Sequence, residues 1–205
     1  MVYNEDLKRE IPIGWGVKAV KDLFKTYLGG TPSRNICRYW NNGNISWLNS
    51  GEIANFPIVT SAECITQEGL ENSATYLLPK NTVMISITGN IRVSISAINA
   101  CTNQSVVGIM RNSDFSNSYL YFYFKNYVPQ FEALMTGAVQ KHINKDIIDE
   151  TPFLLPKASV LHLYQQRIDP IVEEIINNAL ENKTLQQLRD FLLPMLMNGQ
   201  VSIKS

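Results

Sequence analysis

The chain has 205 residues, 45% hydrophobic and 10% aromatic, and its eighteen basic and eighteen acidic side chains cancel to a net charge of zero. That composition excludes a disordered chain, and the length suits one large domain, or one of about 150 residues with an appendage. Zero net charge excludes a protein that holds nucleic acid by bulk attraction alone.

Residues 1–13 read as a charged lead-in. Ile11-Pro12-Ile13-Gly14-Trp15 then predicts extended backbone with Trp15 as an anchor. The opening residues lack an apolar signal core and no uncharged run nears the ~20 residues that span a bilayer, so the expected location is the cytoplasm. Val17 to Tyr27 suits a short strand or helix, and Gly29-Gly30-Thr31-Pro32-Ser33 a loop. Ile45–Leu48 predicts a short strand closed by Ser50-Gly51. The clearest strand is Thr82–Thr88, β-branched and alternating, stopped by Gly89. Val93–Ile98 and Ser105–Met110 read as two more strands. Ser118–Leu134 has the spacing of a buried helix that Pro129 must bend or split. Pro152 and Pro156 bracket a last strand at Phe153–Leu155.

Beyond residue 156 the pattern changes. Leu161, Tyr164, Ile168, Ile171, Val172, Ile175, Ile176, Ala179, Leu185, Leu188 and Leu192 recur at three- and four-residue steps, predicting one helix from Leu161 to Leu193. Asp169-Pro170 is a cap or a kink within it, and Pro194 and Gly199 end it. Thirty-three helical residues would span ~50 Å. Asn178 and Asn182 interrupt the apolar stripe where a coiled coil places register-setting polar residues. The stripe can also pack on the chain's own head; periodicity alone leaves both open. The predicted class is α+β: a strand-rich mixed head over 1–156, then a long coiled-coil helix and tail over 157–205.

Catalytic signatures are missing. There is no Gly-x-Gly-x-x-Gly, Walker loop, His-Glu-x-x-His or Gly-x-Ser-x-Gly, and no cofactor or metal is implied. Cys37, Cys64 and Cys101 stand far apart without a Cys-x-x-Cys, which predicts reduced, buried thiols. What remains are short loops dense in amides and hydroxyls. They hold Thr31, Ser33 and Arg34; Asn49 and Ser50; Thr88, Asn90 and Arg92; Asn103 and Gln104; and Gln140, Lys141, His142, Asn144 and Lys145. Asn and Gln present a donor beside an acceptor, as the adenine edge requires, and Arg can fork onto guanine. Ser, Thr and Lys suit phosphates. These fifteen are the candidate DNA contacts, though Gln140 and Asn144 can equally brace their loop. Trp15, Trp40 and Trp47 are expected in the core rather than as stacking platforms. From Asn72 to Ser113 no acidic residue occurs, while Lys80, Arg92 and Arg111 do, so one face of the head can be positive in a neutral chain.

Taken in order, several of these pieces form a recognisable string: Ile11-Pro-x-Gly-Trp15, Gly29-Gly-Thr-Pro-Ser33, Tyr39-Trp40, Ile45-x-Trp-Leu-x-Ser-Gly51 and Ile65-Thr-x-Glu-Gly-Leu70. It continues through Leu77-Leu-Pro-Lys80, Ile87-Thr-Gly89, Asn103-Gln-Ser105, Gln140-Lys-x-Ile-Asn144, Leu154-Leu-Pro156 and Leu188-Arg-Asp-x-Leu-Leu-Pro194. The series resembles the specificity subunit of type I restriction–modification systems. The resemblance implies a non-catalytic target-recognition domain that reads one half of a split DNA site. It further implies antiparallel pairing of long helices and seating of methyltransferase subunits and, through them, restriction subunits. Such subunits usually hold two recognition domains and two helices, whereas this chain holds one of each. It therefore resembles a half-subunit that would pair with a second copy or another half, with the eleven stripe residues above as the expected dimer seam. Thr88-Gly-Asn-Ile-Arg-Val93 departs from the small-residue run more usual there, which makes Asn90 and Arg92 candidate sequence readers. Two other readings remain at this point: a coiled-coil adaptor that does not bind DNA, and the recognition domain of a stand-alone DNA methyltransferase.

Overall fold

The computed structural model describes residues 1–136 and 142–201. Its strands in chain order are β1 (Val2–Asn4), β2 (Arg9–Ile11), β3 (Gly16–Ala19), β4 (Lys25–Leu28), β5 (Ile45–Leu48), β6 (Glu63–Ile65), β7 (Val83–Ser86), β8 (Val93–Ile95), β9 (Cys101–Thr102), β10 (Val106–Met110) and β11 (Pro152–Leu155). Among the described residues the α-helices are α1 (Gln67–Glu71), α2 (Asn117–Thr136), α3 (Lys145–Asp149) and α4 (Ala158–Met197). The class is α+β, as read from the sequence.

The centre is an antiparallel sheet in the order β4-β10-β7-β8. Its inner strands are buried on both faces, which is why they read as near-continuous apolar runs. Val83, Ile85, Val107 and Ile109 point to one side and join Leu120, Phe124 and Phe131 of α2 around Phe153 of β11. Met84 and Val106 point to the other and join Leu48, Ile53, Ile58 and Leu78. On that second side lies a three-stranded sheet, β6-β5-β9, in which β5 and β9 run parallel. Gly108 allows the two layers to meet: a Cβ there would lie 2.3 Å from Leu78 Cδ1. Trp47, Ile65 and Cys101 make a small third cluster, with Trp40 edge-on to Trp47 at 5.2 Å. Trp47 and Trp40 are thus packing residues, and Trp15 is half-buried.

The ends of the head are tied together. Residues 2–11 form a β1–β2 hairpin rather than a plain lead-in, and β3 pairs antiparallel with β11, setting Val17 opposite Leu154. Tyr119 OH donates to Leu154 O at 3.0 Å, fixing β11 to α2, and Tyr123 OH likewise donates to Pro152 O. The stretch 17–27, undecided in the sequence, is β3, a single 3-10 turn at Val20–Asp22 and β4.

Three prolines lie inside the two long helices. Pro129 lies inside α2 and does not split it. Leu120 and Phe124 before it and Phe131 after it are fully buried in one cluster, so both halves are held against the same core despite the ~3 kcal/mol cost of an interior proline. α4 starts three residues earlier than predicted and passes through both Pro170 and Pro194, giving 40 residues and about 60 Å. Asp169 is therefore not a cap. Its carboxylate accepts from Ser118 Oγ, latching α4 to the start of α2. The cysteine expectation needs correction: only Cys101 is buried, its thiol pushed up to about 11 by desolvation, while Cys64 is half-buried and Cys37 exposed. No helix among the described residues is long and apolar enough to cross a membrane.

Candidate nucleic-acid interface

The five polar loops are far apart in sequence, and main-chain hydrogen bonds stitch four of them and the described end of the fifth into one edge. Gly30 N donates to Thr102 O at 2.8 Å, joining the 29–34 loop to the end of β9. Asn103 N donates to Leu48 O at 2.9 Å, bringing in the Asn49–Ser50 loop. Ile87 N donates to Ser105 O at 2.9 Å, and Ile143 N to Ile87 O at 3.0 Å. The Thr88–His142 bridge then sets the last two loops side by side. The double glycine makes the first of these junctions possible. A Cβ on Gly29 would stand 2.2 Å from Asn103 O and 2.4 Å from Thr102 O, and one on Gly30 2.8 Å from Thr75 N.

Side chains along this edge divide into braces and free tips. Thr31 Oγ1 donates to Gln104 Oε1 at 2.5 Å, and both residues are exposed. Asn49 Oδ1 accepts from Gly51 N at 2.8 Å and Asn103 Oδ1 from Ser105 N at 3.0 Å, two Asx turns that hold their own loops. Each leaves the amide nitrogen end as the group available to a ligand. Ser33 O accepts from Trp40 Nε1 at 3.1 Å, while Ser33 itself is exposed. The β7–β8 turn is closed by Ser86, whose Oγ donates to Asn90 O at 2.9 Å and accepts from Arg92 N at 2.8 Å. Gly89 at φ +66 gives that turn its shape and Asn90 is exposed at its tip.

Arg34 is more occupied than its residue type suggested. It forks onto Glu63 at 2.5 and 2.8 Å and lies 3.5 Å from the Trp40 ring centroid and 5.0 Å from that of Trp47. Glu63 is held below the usual carboxylate range chiefly by the hydrogen bond from Arg34, and Arg34 is raised by the same bond. The fork and ring face that would address guanine are thus filled from within the chain. Glu52 acts similarly as a brace, accepting from Asn49 N at 2.9 Å and Ala62 N at 2.8 Å. Sequence reasoning missed both carboxylates, which stand outside the loops they support.

Of the last loop, Gln140 and Lys141 lie outside the described residues. His142 is exposed. Asn144 is the N-cap of α3, its Oδ1 accepting from Ile147 N at 3.0 Å, which matches the bracing role weighed for it. Lys145 is paired with Asp149, whose other oxygen accepts from Thr26 Oγ1 at 2.5 Å.

The expected seam on α4 splits into two stripes. Leu161 and Val172 are 8% and 5% exposed inside the head's core, with Ile168 and Ile176 packed on the same cluster. Tyr164 stands edge-on to Tyr119 at 5.4 Å. These five face the chain's own α2, so the structure corrects their assignment to a seam. Further along, Lys183 Nζ donates to Val59 O at 2.9 Å. A second stripe faces outward: Ile171 at 54%, Ile175 at 40%, Leu185 at 53%, Leu188 at 50% and Leu192 at 40% exposed. Ala179 lies half-buried between the stripes. Phe191, Leu193, Leu196 and Met197, not singled out in the sequence, extend the exposed apolar surface to the end of the helix.

Comparison with known proteins gives a consistent result. The profile of the type I restriction modification DNA specificity domain matches residues 12–190. The chain is 24% identical over 196 residues to the HindI specificity subunit of Haemophilus influenzae, covering 93% of this chain and 42% of that protein. It is 23% identical over 210 residues to the MjaIX specificity subunit of Methanocaldococcus jannaschii, covering 99% and 48%. The chain thus spans about half the length of these curated relatives. Its fold is similar to that of the HsdS subunit from Thermoanaerobacter tengcongensis, with a TM-score of 0.59 and 13% identity over 94% of this chain and 47% of that one.

Proposed function

The chain belongs to the type I restriction modification DNA specificity family, and from that premise we propose that it is a non-catalytic, sequence-specific DNA-binding subunit reading one half of a bipartite site. The observation that carries this reading is the single edge built by loops at 29–34, 49–51, 88–92, 103–105 and 142–145. An edge of amides and hydroxyls braced by its own backbone suits a major groove, where base edges differ in their donor and acceptor pattern. Gln104, Asn49, Asn103, Asn90 and His142 would address bases, with Thr31, Ser33, Ser50, Thr88, Arg92 and Lys145 nearer the phosphates.

The outward stripe of α4 is the proposed seam with a second copy or another half-subunit, paired antiparallel about a twofold axis. Ile171 to Met197 measures about 40 Å of helix, close to the ~34–36 Å that separates half-sites one DNA turn apart. Two heads so joined would read inverted half-sites across an unread gap. Methyltransferase subunits docked on this arm, and restriction subunits through them, would supply the chemistry and much of the phosphate attraction that a neutral chain lacks. The test is selection of bound duplexes from a random library by the purified chain with its methyltransferase. Enrichment of one short sequence in two inverted copies is expected, and equal recovery of all sequences would overturn the reading.

A further inference from the structure

Beside the reading edge a groove runs between α2 and residues 53–56, and Ile91 and Arg92 at the end of the 88–92 loop line it too. Phe56 and Tyr121 form its floor, stacked at 4.3 Å with 17° between their planes. Lys125, exposed on α2, donates from Nζ to Tyr121 OH at 3.0 Å and sits 5.3 Å from the Tyr121 ring centroid. Arg92 lines the same groove, its main chain clamped on both sides because Ser86 N also donates to Arg92 O at 2.9 Å. Among the described residues no acidic side chain lines the groove. The nearest in sequence, Glu52, is turned away to Asn49 N and Ala62 N. Neither cation enters an ion pair among the described residues.

We propose that this groove holds a phosphodiester of duplex DNA, with Lys125 as its principal contact and Arg92 as the second. The proposal rests on the DNA-reading function argued above. Lysine presents a compact charge with three rotatable donors, which serves a phosphate oxygen from any bound sequence and discriminates poorly among base edges. The Tyr121 hydroxyl already restricts the Lys125 side chain, so less freedom is lost on contact. Continuity with the reading loops selects DNA over an acidic peptide, since a strand following those loops would pass the groove mouth. Lys125 would then fix the register of the head on the duplex while the loops supply preference.

Fluorescence anisotropy of the full chain with its methyltransferase on labelled duplexes, at salt from 50 to 200 mM, tests this. Lys125→Gln should weaken binding equally across sequences and lower the slope of log affinity against log salt by about 0.9. The advantage of the unaltered chain should therefore shrink by about 3.5-fold over that range. Lys125→Arg should restore both the affinity and the slope. An unchanged slope in Lys125→Gln, with the unaltered chain binding normally, would overturn the proposal and leave the reading function standing. A changed preference among sequences would make Lys125 a base contact and overturn it too. Failure of the unaltered chain with its methyltransferase to bind any duplex would overturn both, and tighter binding of an acidic peptide than of DNA would reassign the groove.

Discussion

The hydroxyl of Thr31 donates to the side-chain oxygen of Gln104 at 2.5 Å, bridging two loops that are 73 residues apart in sequence. The bond engages one end of the Gln104 amide and leaves its nitrogen as a donor at the edge. Bidentate recognition of adenine needs both ends, so Gln104 would either give up Thr31 on binding or act as a donor alone. Replacing Thr31 by Val should cost less than about 0.5 kcal/mol of stability, since both residues are exposed. It should nevertheless alter discrimination at one base position by about 1–3 kcal/mol. Competition binding with single-base variants of the selected site measures this, and an unchanged profile would remove Gln104 from the reading set.

Arg34 is expected to act as a brace. Removing its fork to Glu63 and its stacking on Trp40 should cost about 1–2 kcal/mol, adding an exposed ion pair to a cation–π contact. Glu63 has a folded pKa below its unfolded one. Its contribution is present above the ordinary carboxylate range near pH 4.3 and is lost as pH falls through the depressed value. Because the side chains are 49% and 40% exposed, solvent screening limits the ion-pair share to about 1 kcal/mol or less. Denaturation at pH 7 and pH 3 should show a larger Glu63→Gln defect at the higher pH.

Gly29 should tolerate no side chain. Gly29→Ala would set a methyl against Asn103 O and Thr102 Oγ1, at 2.2 and 2.3 Å before any shift. Backbone must move, at about 2–3 kcal/mol. A melting temperature lowered by several degrees, together with weaker DNA binding, is the expected result. Unchanged stability would mean that the junction between the first and fourth loops is not as close as described.

The two stripes of α4 should separate folding from assembly. Leu161→Ala, inside the head's core, should lose about 2–5 kcal/mol and destabilise the chain at any concentration. Ile175→Glu with Leu188→Glu, both on the outward stripe, should leave the head's melting transition in place. Light scattering should find that variant monomeric and the unaltered chain dimeric. A variant that remains dimeric would place the seam elsewhere.

How far the sequence alone reached follows from the range of the interactions concerned. The strand at Ile45–Leu48, the centre of the strand read over Thr82–Thr88 and the body of α4 from Leu161 to Leu193 declare themselves through local periodicity, though not the ends of the last two. The β3–β11 pair does not, because what makes Val17 a strand residue is Leu154. Periodicity shows that α4 is apolar and says nothing about what covers it. Leu161 and Val172 turn inward while Ile171 and Ile175 turn out, a difference decided by where α2 lies. Pro129 and Pro194 are tolerated for reasons outside their own neighbourhoods. At the reading edge the loops were found by composition, but their division into braces and tips was not. Nothing near Arg34 announces Glu63, and nothing near Asn49 announces that Glu52 and Gly51 hold its loop.

If a head reads one half-site and the arm sets the distance to its twin, the unread gap is a property of α4. Duplexes should be selected from a random library with the native chain and with a chain whose α4 is lengthened by two turns in its outward half. The same inverted half-sites are expected in both selections, with a longer unread gap in the second. An unchanged gap, or recovery of a single unsplit sequence by the native chain, would contradict this reading.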